Sequence, residues 1–229
     1  MSRSFGIVDS KVAEANFFLK SLKEAGSDFF KVRCYFSAFV SSARAITYAI
    51  QASIGDLPGF DEWYAKQQES LRSNPLARFF HEARVADHHR GVNLVSGGEA
   101  ISDADGLRIL HYFATTGTGV PPPNTDVATA CFDYLTALIA IVYACYSQFG
   151  ELIGPEQYYT EEVFASRGLT IEDAEEDVFG FRGWTEATGV PISERWRMIR
   201  ESVPPSNINH LFLEYLGKEL PEKPGYTAA

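Results

Sequence analysis

The chain has 229 residues, of which 45% are apolar and 14% aromatic, enough to fill a sizeable core, and its formal net charge is −10. Residues 1–150 hold 13 basic and 15 acidic groups (−2), whereas residues 151–229 hold 7 and 15 (−8). This balance excludes a broad basic surface for nucleic acid, so any RNA contact must be a local cluster in the first part of the chain.

Four helices are predicted in the first 91 residues. They span about residues 9–25, 29–54, 60–72 and 75–90. The second is apolar on more than one side, which predicts a central position in the fold. The fourth begins at Asn74-Pro75, a capping residue followed by a first-turn proline, and it ends at Gly91, a residue type that often closes a helix.

The next segment, residues 92–124, is rich in glycine and proline and loses the helical period. A strand is predicted over residues 107–114, after an Asp-Gly turn at 105–106. Asp126 can then cap a strongly apolar helix over about residues 127–149. This pattern predicts a short strand and loop insertion between two helices.

The apolar runs and the cysteines indicate the cellular compartment of the protein. The longest nearly uncharged apolar run, residues 135–146, is shorter than the roughly 20 residues that span a bilayer, and residues 1–6 lack a signal pattern. Three cysteines without a CxxC pair predict buried thiols rather than a disulfide framework or a zinc cluster. We therefore expect a cytoplasmic protein with no membrane association.

Residues 151–229 are acidic, and their sequence pattern predicts short helices. They begin at Thr160 and Thr170 and continue over about residues 192–201 and 208–216. The predicted fold class is mainly α. A helical bundle covers residues 8–150, with its strand and loop insertion at 92–124, and an acidic extension of short helices over 151–229 packs on the bundle.

Chemistry-bearing residues concentrate at the end of the fourth helix. Three of the five histidines and two arginines lie within ten residues. His81, Arg84 and His88 fall on one helix face, at offsets of three and four. Arg84 and His89 lie about 140° apart on an ideal helix, so they converge only if the helix ends or bends near Asp87, or if two chains share the site.

The pair formed by Arg84 and His89, at the end of a helix entered through Phe79 and Phe80, resembles the R-x(4–6)-H motif of HEPN domains. A long aromatic-rich helix precedes the motif and an apolar helix follows it, so the resemblance covers about residues 10–150. It implies a HEPN-like helical bundle that forms a homodimer, with both copies of the motif facing a shared cleft.

The resemblance also implies an activity. Many HEPN proteins are metal-independent RNA endonucleases, and a toxin–antitoxin or phage-defence role would add RNA as substrate and an antitoxin or other protein as partner. His89 then moves protons and Arg84 stabilises the phosphate. The supporting residues expected around them are His88, Asp87, His81 and Arg44. No cofactor is expected.

Other hypotheses remain open at this site. HEPN domains commonly carry a polar residue after the arginine, where this chain has Val85, and this favours a non-catalytic module that binds a protein or nucleotide partner. Cations in the last turn can instead serve only to stabilise the negative end of the helix dipole. A metal site is disfavoured, because the second histidine of H-E-x-x-H is missing after His81-Glu82 and Arg84 adds a positive charge.

Arg44 lies inside the second helix, where a charge needs a partner or a cleft. An ion pair with a carboxylate such as Asp133 or Glu82 is the favoured prediction. The alternative is a second phosphate contact beside Arg84.

Overall fold

The computed structural model describes residues 5–103, 106–115, 119–203 and 208–220. The chain is mainly helical and contains a small antiparallel sheet of two strands. The helices are α1 (Gly6–Glu24), α2 (Phe29–Ile54), α3 (Phe60–Ser73), α4 (Pro75–Arg90), α5 (Val127–Ile153), α6 (Pro155–Tyr158), α7 (Glu161–Ala165), α8 (Ile171–Phe179), α9 (Ile192–Ser202) and α10 (Asn209–Leu216). The strands are β1 (Val95–Asp103) and β2 (Gly106–Phe113).

The chain divides into two compact units. One contains residues 7–141, and the other contains residues 142 onward together with Phe5 and Gly6. The division lies within α5, so this helix contributes residues to both units. The predicted mainly α class is confirmed, with the two strands inside the predicted insertion.

Local capping determines where α4 begins and ends. The Asn74 side chain accepts hydrogen bonds from the backbone N–H of Leu76 and Ala77, at 2.9 and 3.3 Å, and Pro75 occupies the first turn. Gly91 has a φ of 63°, in the left-handed region, and its N–H donates to the carbonyl of Asp87 at 3.1 Å. The predicted bounds of α4 are confirmed, and the helix is continuous to Arg90.

An aromatic cluster holds α2, α4, β2 and α5 together. Phe80 of α4 stacks on Tyr134 of α5 with 4.4 Å between ring centroids, and Phe79 meets Phe113 of β2 at 4.8 Å. Phe36 of α2 contacts both Phe80 and Phe113. Each such buried side chain contributes about 1.5–3 kcal/mol, so the cluster fixes α2 and α4 against each other.

The β1–β2 ribbon is antiparallel, with an irregularity between Val95 and Gly98. His111 of β2 is buried, and its Nε2 lies 2.7 Å from the carbonyl oxygen of Gly26, which ties the ribbon to the loop before α2. The predicted strand after residue 106 is therefore confirmed. The predicted turn residue Asp105 lies outside the described residues.

Helix α5 is longer than the predicted apolar run. It has 27 residues, and the mean hydropathy of its most apolar stretch is 1.8, so among the described helices it alone is long and apolar enough to cross a membrane. Half of that stretch is buried inside the protein. The core helix of a soluble protein has the same length and composition, so this feature is weak support for a membrane span.

Two of the cysteines are buried, as predicted, and one is not. Cys131 and Cys145 are buried on α5, and burial raises the pKa of both thiols. Cys34 is exposed on α2, which corrects the prediction for this residue. The rest of the fold covers the second turn of α2 only partly. The apolar residues around Cys34 in the sequence did not predict this exposure.

Candidate functional site

The predicted site residues lie mostly along one contact between α2 and α4. The contributing side chains, which we call the α2–α4 seam, are Ser37, Ser41, Arg44 and Tyr48 of α2 with His81, Arg84, Asp87 and His88 of α4. The early part of α2 meets the late part of α4 through Ser37 and Asp87, so the two helices run in opposite directions.

Hydrogen bonds between serines and α4 define one end of the seam. The Ser37 hydroxyl donates to Asp87 Oδ2 at 2.5 Å, and Ser41 Oγ lies 2.5 Å from His88 Nε2. The same Nε2 lies 3.7 Å from Asp87 Oδ2. In a serine–histidine–aspartate relay the carboxylate holds the opposite ring nitrogen, so this cluster lacks the relay geometry.

Arg44 lies in the middle of the seam. The ion pair predicted for it is wrong, because Arg44 pairs with neither Asp133 nor Glu82. Its guanidinium donates to Thr47 Oγ1 and Tyr48 OH, each at 3.3 Å, and it lies 4.6 Å from the centre of the Tyr48 ring. Its Nε is buried and has no hydrogen-bond acceptor among the described residues. Glu82 lines the same pocket as Arg44 without pairing with it.

The charge of Arg84 also acts on Tyr48. The pKa of Tyr48 is lowered, first by the hydrogen bond from Arg44, next by the charge of Arg44, and to a smaller extent by the charge of Arg84. Arg84 is half-buried and makes no hydrogen bond or ion pair with the described part of the chain. Both guanidinium charges therefore act on Tyr48, and neither Arg44 nor Arg84 has a carboxylate partner among the described residues.

A pocket of about 400 Å³ opens beside the seam, between α2, α3 and α4. Ligand pockets commonly measure about 300–1,000 Å³. The lining residues are Arg44, Thr47, Gln51, Tyr64, Gln68, Leu71, Arg72, Ala77, Arg78, His81, Glu82, Val120 and Tyr134. Three arginines against one glutamate give this wall a net charge of +2 with His81 neutral, in a chain whose net charge is −10.

The donor side chains of the pocket differ in how they are held. Arg72 contacts Gln68 at 3.5 Å and Glu69 at 3.9 Å, and both members of the ion pair are well exposed, so the pair contributes little. Arg78 and His81 are exposed and form no hydrogen bond or ion pair within the described ranges. These groups remain available to a ligand.

Tyrosine rings form the apolar part of the pocket wall. Tyr64 is buried, stacks on Phe60 at 5.0 Å and donates its hydroxyl hydrogen to the carbonyl of Thr47 at 3.3 Å. Burial raises the pKa of Tyr134 to about 12, an effect that the charge of Arg44 partly offsets. Tyr134 therefore stays neutral at physiological pH and adds no negative charge to the pocket.

The structure separates His89 from Arg84. Because α4 is continuous to Arg90, the two positions lie about 140° apart around the helix axis. His89 is exposed and forms no hydrogen bond with the part of the chain that is described. The single chain thus brings Arg84 toward Arg44 and places His89 elsewhere.

Metal-ligand residues do not gather at this end of α4. Within residues 5–103, 106–115, 119–203 and 208–220, no group of three or more His, Cys, Asp or Glu side chains is placed to hold a metal ion. His88 is instead engaged by Ser41.

Several pocket residues were missed by sequence reasoning. Arg78 carried a usable signal, because it lies three positions before His81 and therefore on the same face of α4. Gln51, Tyr64 and Gln68 carried none, since they meet only after α2 and α3 have packed.

Comparison with known protein families corrects one prediction. The family model that matches the chain is described as "Bacteriophage lambda protein ea47", and the match covers residues 6–139. The predicted relationship to HEPN domains is therefore wrong. An arginine and a histidine separated by four residues occur by chance on many helices, and helix order around them did not distinguish the two families. No curated protein and no solved structure matches the chain.

Proposed function

The chain belongs to the bacteriophage lambda ea47 family, and we propose that this member binds a phosphate-bearing ligand in the basic pocket between α2, α3 and α4. The observation that carries the proposal is the Nε of Arg44, a buried donor without an acceptor among the described residues, on a residue of the pocket wall. Leaving a buried donor unsatisfied costs about 1–3 kcal/mol, and an anionic oxygen removes that cost.

The other donor side chains support the same ligand chemistry. Arg78 and His81 line the pocket as exposed donors, and Arg84 adds its charge near Tyr48. Guanidinium groups bind phosphate oxygens through paired, charge-assisted hydrogen bonds, which are about twice as strong as neutral ones. In an acidic chain, such a local concentration of arginines is best explained by an anionic ligand.

Isothermal titration calorimetry with inorganic phosphate and pyrophosphate tests the proposal. Arg44→Lys keeps the positive charge but removes Nε, and we expect at least a tenfold loss of affinity, because a charge-assisted hydrogen bond contributes about 1.5–3 kcal/mol. Arg33→Ala is the matched control, since Arg33 is an exposed arginine of α2 outside the pocket. Absence of binding by the unmodified chain, or equal affinity in Arg44→Lys, would refute the proposal.

A second candidate function is metal-independent cleavage of RNA. The observation in its favour is that the charges of Arg44 and Arg84 both act on Tyr48 of the seam, with His88 one turn beyond Arg84 on α4. In this reaction a 2′-hydroxyl attacks the adjacent phosphate and the bond from that phosphate to the 5′-oxygen of the next nucleotide breaks. An imidazole accepts the proton of the 2′-hydroxyl and a proton is delivered to the leaving 5′-oxygen, while a guanidinium stabilises the developing charge. His89 reaches the same phosphate only from a second copy of the chain, so this candidate includes a homodimer.

Cleavage of bulk RNA in the presence of a chelator tests the second candidate. We expect the unmodified chain to cleave and Arg84→Ala and His89→Ala to lose activity, and light scattering to show a dimer. Equal activity in all three proteins, or none in any, would exclude the nuclease while leaving phosphate binding untouched.

A further inference from the structure

We infer that the ligand of the basic pocket is a nucleoside monophosphate, an inference that rests on the proposed phosphate-binding function and names its substrate class. The pocket measures about 400 Å³, which is larger than a single phosphate group needs. The cations occupy only part of its wall. The remaining wall must therefore contact another portion of the ligand.

The charge of the wall matches one phosphate monoester. Arg44, Arg72 and Arg78 contribute three positive charges and Glu82 contributes one negative charge. A phosphate monoester carries a charge of about −1.5 to −2 at pH 7. One such group balances the pocket, whereas a triphosphate would bring excess negative charge against Glu82 and a chain of net charge −10.

The non-basic wall suits a planar ring. Leu71 lines it with Tyr64 and Tyr134, which are 8% and 6% exposed and are held in place by stacking on other aromatic rings, so a bound ring can pack against Leu71 and the exposed part of each tyrosine. Tyrosine rings and aliphatic side chains are the surfaces on which nucleobases stack in binding sites, and such stacking tolerates any base. A sugar phosphate without a base would leave this part of the wall unused.

Two glutamine amides supply the polar contacts that a base edge requires. Gln51 Nε2 donates to the carbonyl of Thr47 and to Tyr64 OH, each at 3.1 Å, which leaves its Oε1 as an acceptor. Gln68 Oε1 accepts from Arg72, which leaves its Nε2 as a donor. Every nucleobase presents both a donor and an acceptor on its Watson–Crick edge, so one acceptor and one donor on the wall complement it.

Calorimetry with the full chain tests the inference against simpler anions. The probes are inorganic phosphate, ribose 5-phosphate, adenosine and the four common nucleoside monophosphates. We expect at least one monophosphate to bind roughly tenfold or more tightly than ribose 5-phosphate, because stacking and base-edge contacts are added. Adenosine, which lacks the phosphate, should bind more weakly than that monophosphate.

A pair of adjacent glutamines provides matched variants. Gln68→Leu should weaken the binding of that monophosphate roughly twofold to tenfold, because one base-edge hydrogen bond is lost while stacking remains, and a circular-dichroism spectrum that matches the unmodified chain shows that the variant is folded. Gln67→Leu alters the neighbouring residue of α3 outside the pocket and should not change the affinity for that monophosphate. Equal losses in the two variants would overturn the inference.

The outcomes separate this inference from the function it rests on. If inorganic phosphate and ribose 5-phosphate bind as tightly as every nucleoside monophosphate, the nucleotide inference fails and the phosphate-binding function stands. If none of the phosphate-bearing probes binds, both fail.

Discussion

A fully buried carboxylate connects α8, the loop after it and α9. Glu175 of α8 has an exposed fraction of 0% and accepts hydrogen bonds from the backbone N–H of Gly183 at 2.5 Å and of Thr185 at 2.8 Å. It also accepts from the Thr185 hydroxyl and from Arg195, whose Nη2 lies 3.1 Å away. One side chain thus accepts hydrogen bonds from two backbone N–H groups of the loop after α8 and connects that loop to α9.

Replacing this carboxylate should be strongly destabilising. Glu175→Gln leaves the mostly buried guanidinium of Arg195 without its main counter-charge, and breaking a buried pair costs about 3–5 kcal/mol. Urea denaturation measures the loss in the free energy of unfolding. Glu176→Gln is the matched control, because that side chain forms an exposed ion pair with Arg182, and we expect a change of at most about 1 kcal/mol. Similar losses in both variants would contradict the role of Glu175.

The same residue predicts how stability depends on pH. Burial by itself would raise the pKa of Glu175, but hydrogen bonds from Thr185, Gly183 and Arg195 outweigh it and the pKa is lowered. The folded state therefore holds its proton less tightly than the unfolded state, whose pKa is about 4.3. The stabilisation is complete above that value and is lost as the pH falls through the folded pKa.

We therefore expect the stability advantage of the unmodified chain over Glu175→Gln to shrink as the pH falls from about 5 to 3. Thermal unfolding midpoints at successive pH values measure it. An advantage that stays constant from pH 7 to pH 3 would show that the charge of Glu175 does not stabilise the fold.

At the scale of single elements, local signals were sufficient to predict α4. Asn74, Pro75 and Gly91 determine its two ends through contacts within a few residues. The contacts of Arg44 could not be predicted in this way, because they depend on the register between α2 and α4. That register arises from the aromatic cluster around Phe80, which joins residues far apart in the sequence. Hence the sequence predicted that Arg84 and His88 share a face, but not that Arg44 has no carboxylate partner among the described residues.

The end of α4 offers a test of that local control. Gly91→Ala places a side chain at a φ of 63°, which costs roughly 1–2 kcal/mol even though no atom lies within 4 Å of the added methyl group. Chemical denaturation should show this loss. Gly97→Ala is the control, since its methyl group also meets nothing within 4 Å and no positive φ is required there, and we expect a change within about 0.5 kcal/mol. A neutral Gly91→Ala would mean that the left-handed turn does not close α4.

At the scale of the whole molecule, composition predicted the helical class but not the character of α5. The predicted helix ends at about residue 149, whereas α5 continues to Ile153, and Ser147 and Gln148 within it are exposed positions that a helix accommodates. The uneven distribution of charge along the sequence is also found in the fold. The compact unit of residues 7–141 contains the basic pocket, and the acidic residues concentrate after residue 142.

We propose a cytoplasmic location. Two adjacent positions in the middle of α5 distinguish a helix of a water-soluble fold from a membrane span. Ile139 is 0% exposed and the adjacent Ala140 is exposed. In a water-soluble fold, Ala140→Lys places its charge in solvent and should change stability within about 0.5 kcal/mol, whereas Ile139→Lys buries an unpaired charge and should cost more than about 4 kcal/mol. At the centre of a membrane span, either lysine would cost about 2.5–3.5 kcal/mol. We therefore expect the unmodified chain and Ala140→Lys to be recovered without detergent and to unfold at closely similar urea concentrations, with Ile139→Lys unfolded or aggregated. Recovery of the unmodified chain only with detergent, or equal damage from both lysines, would place α5 in a membrane.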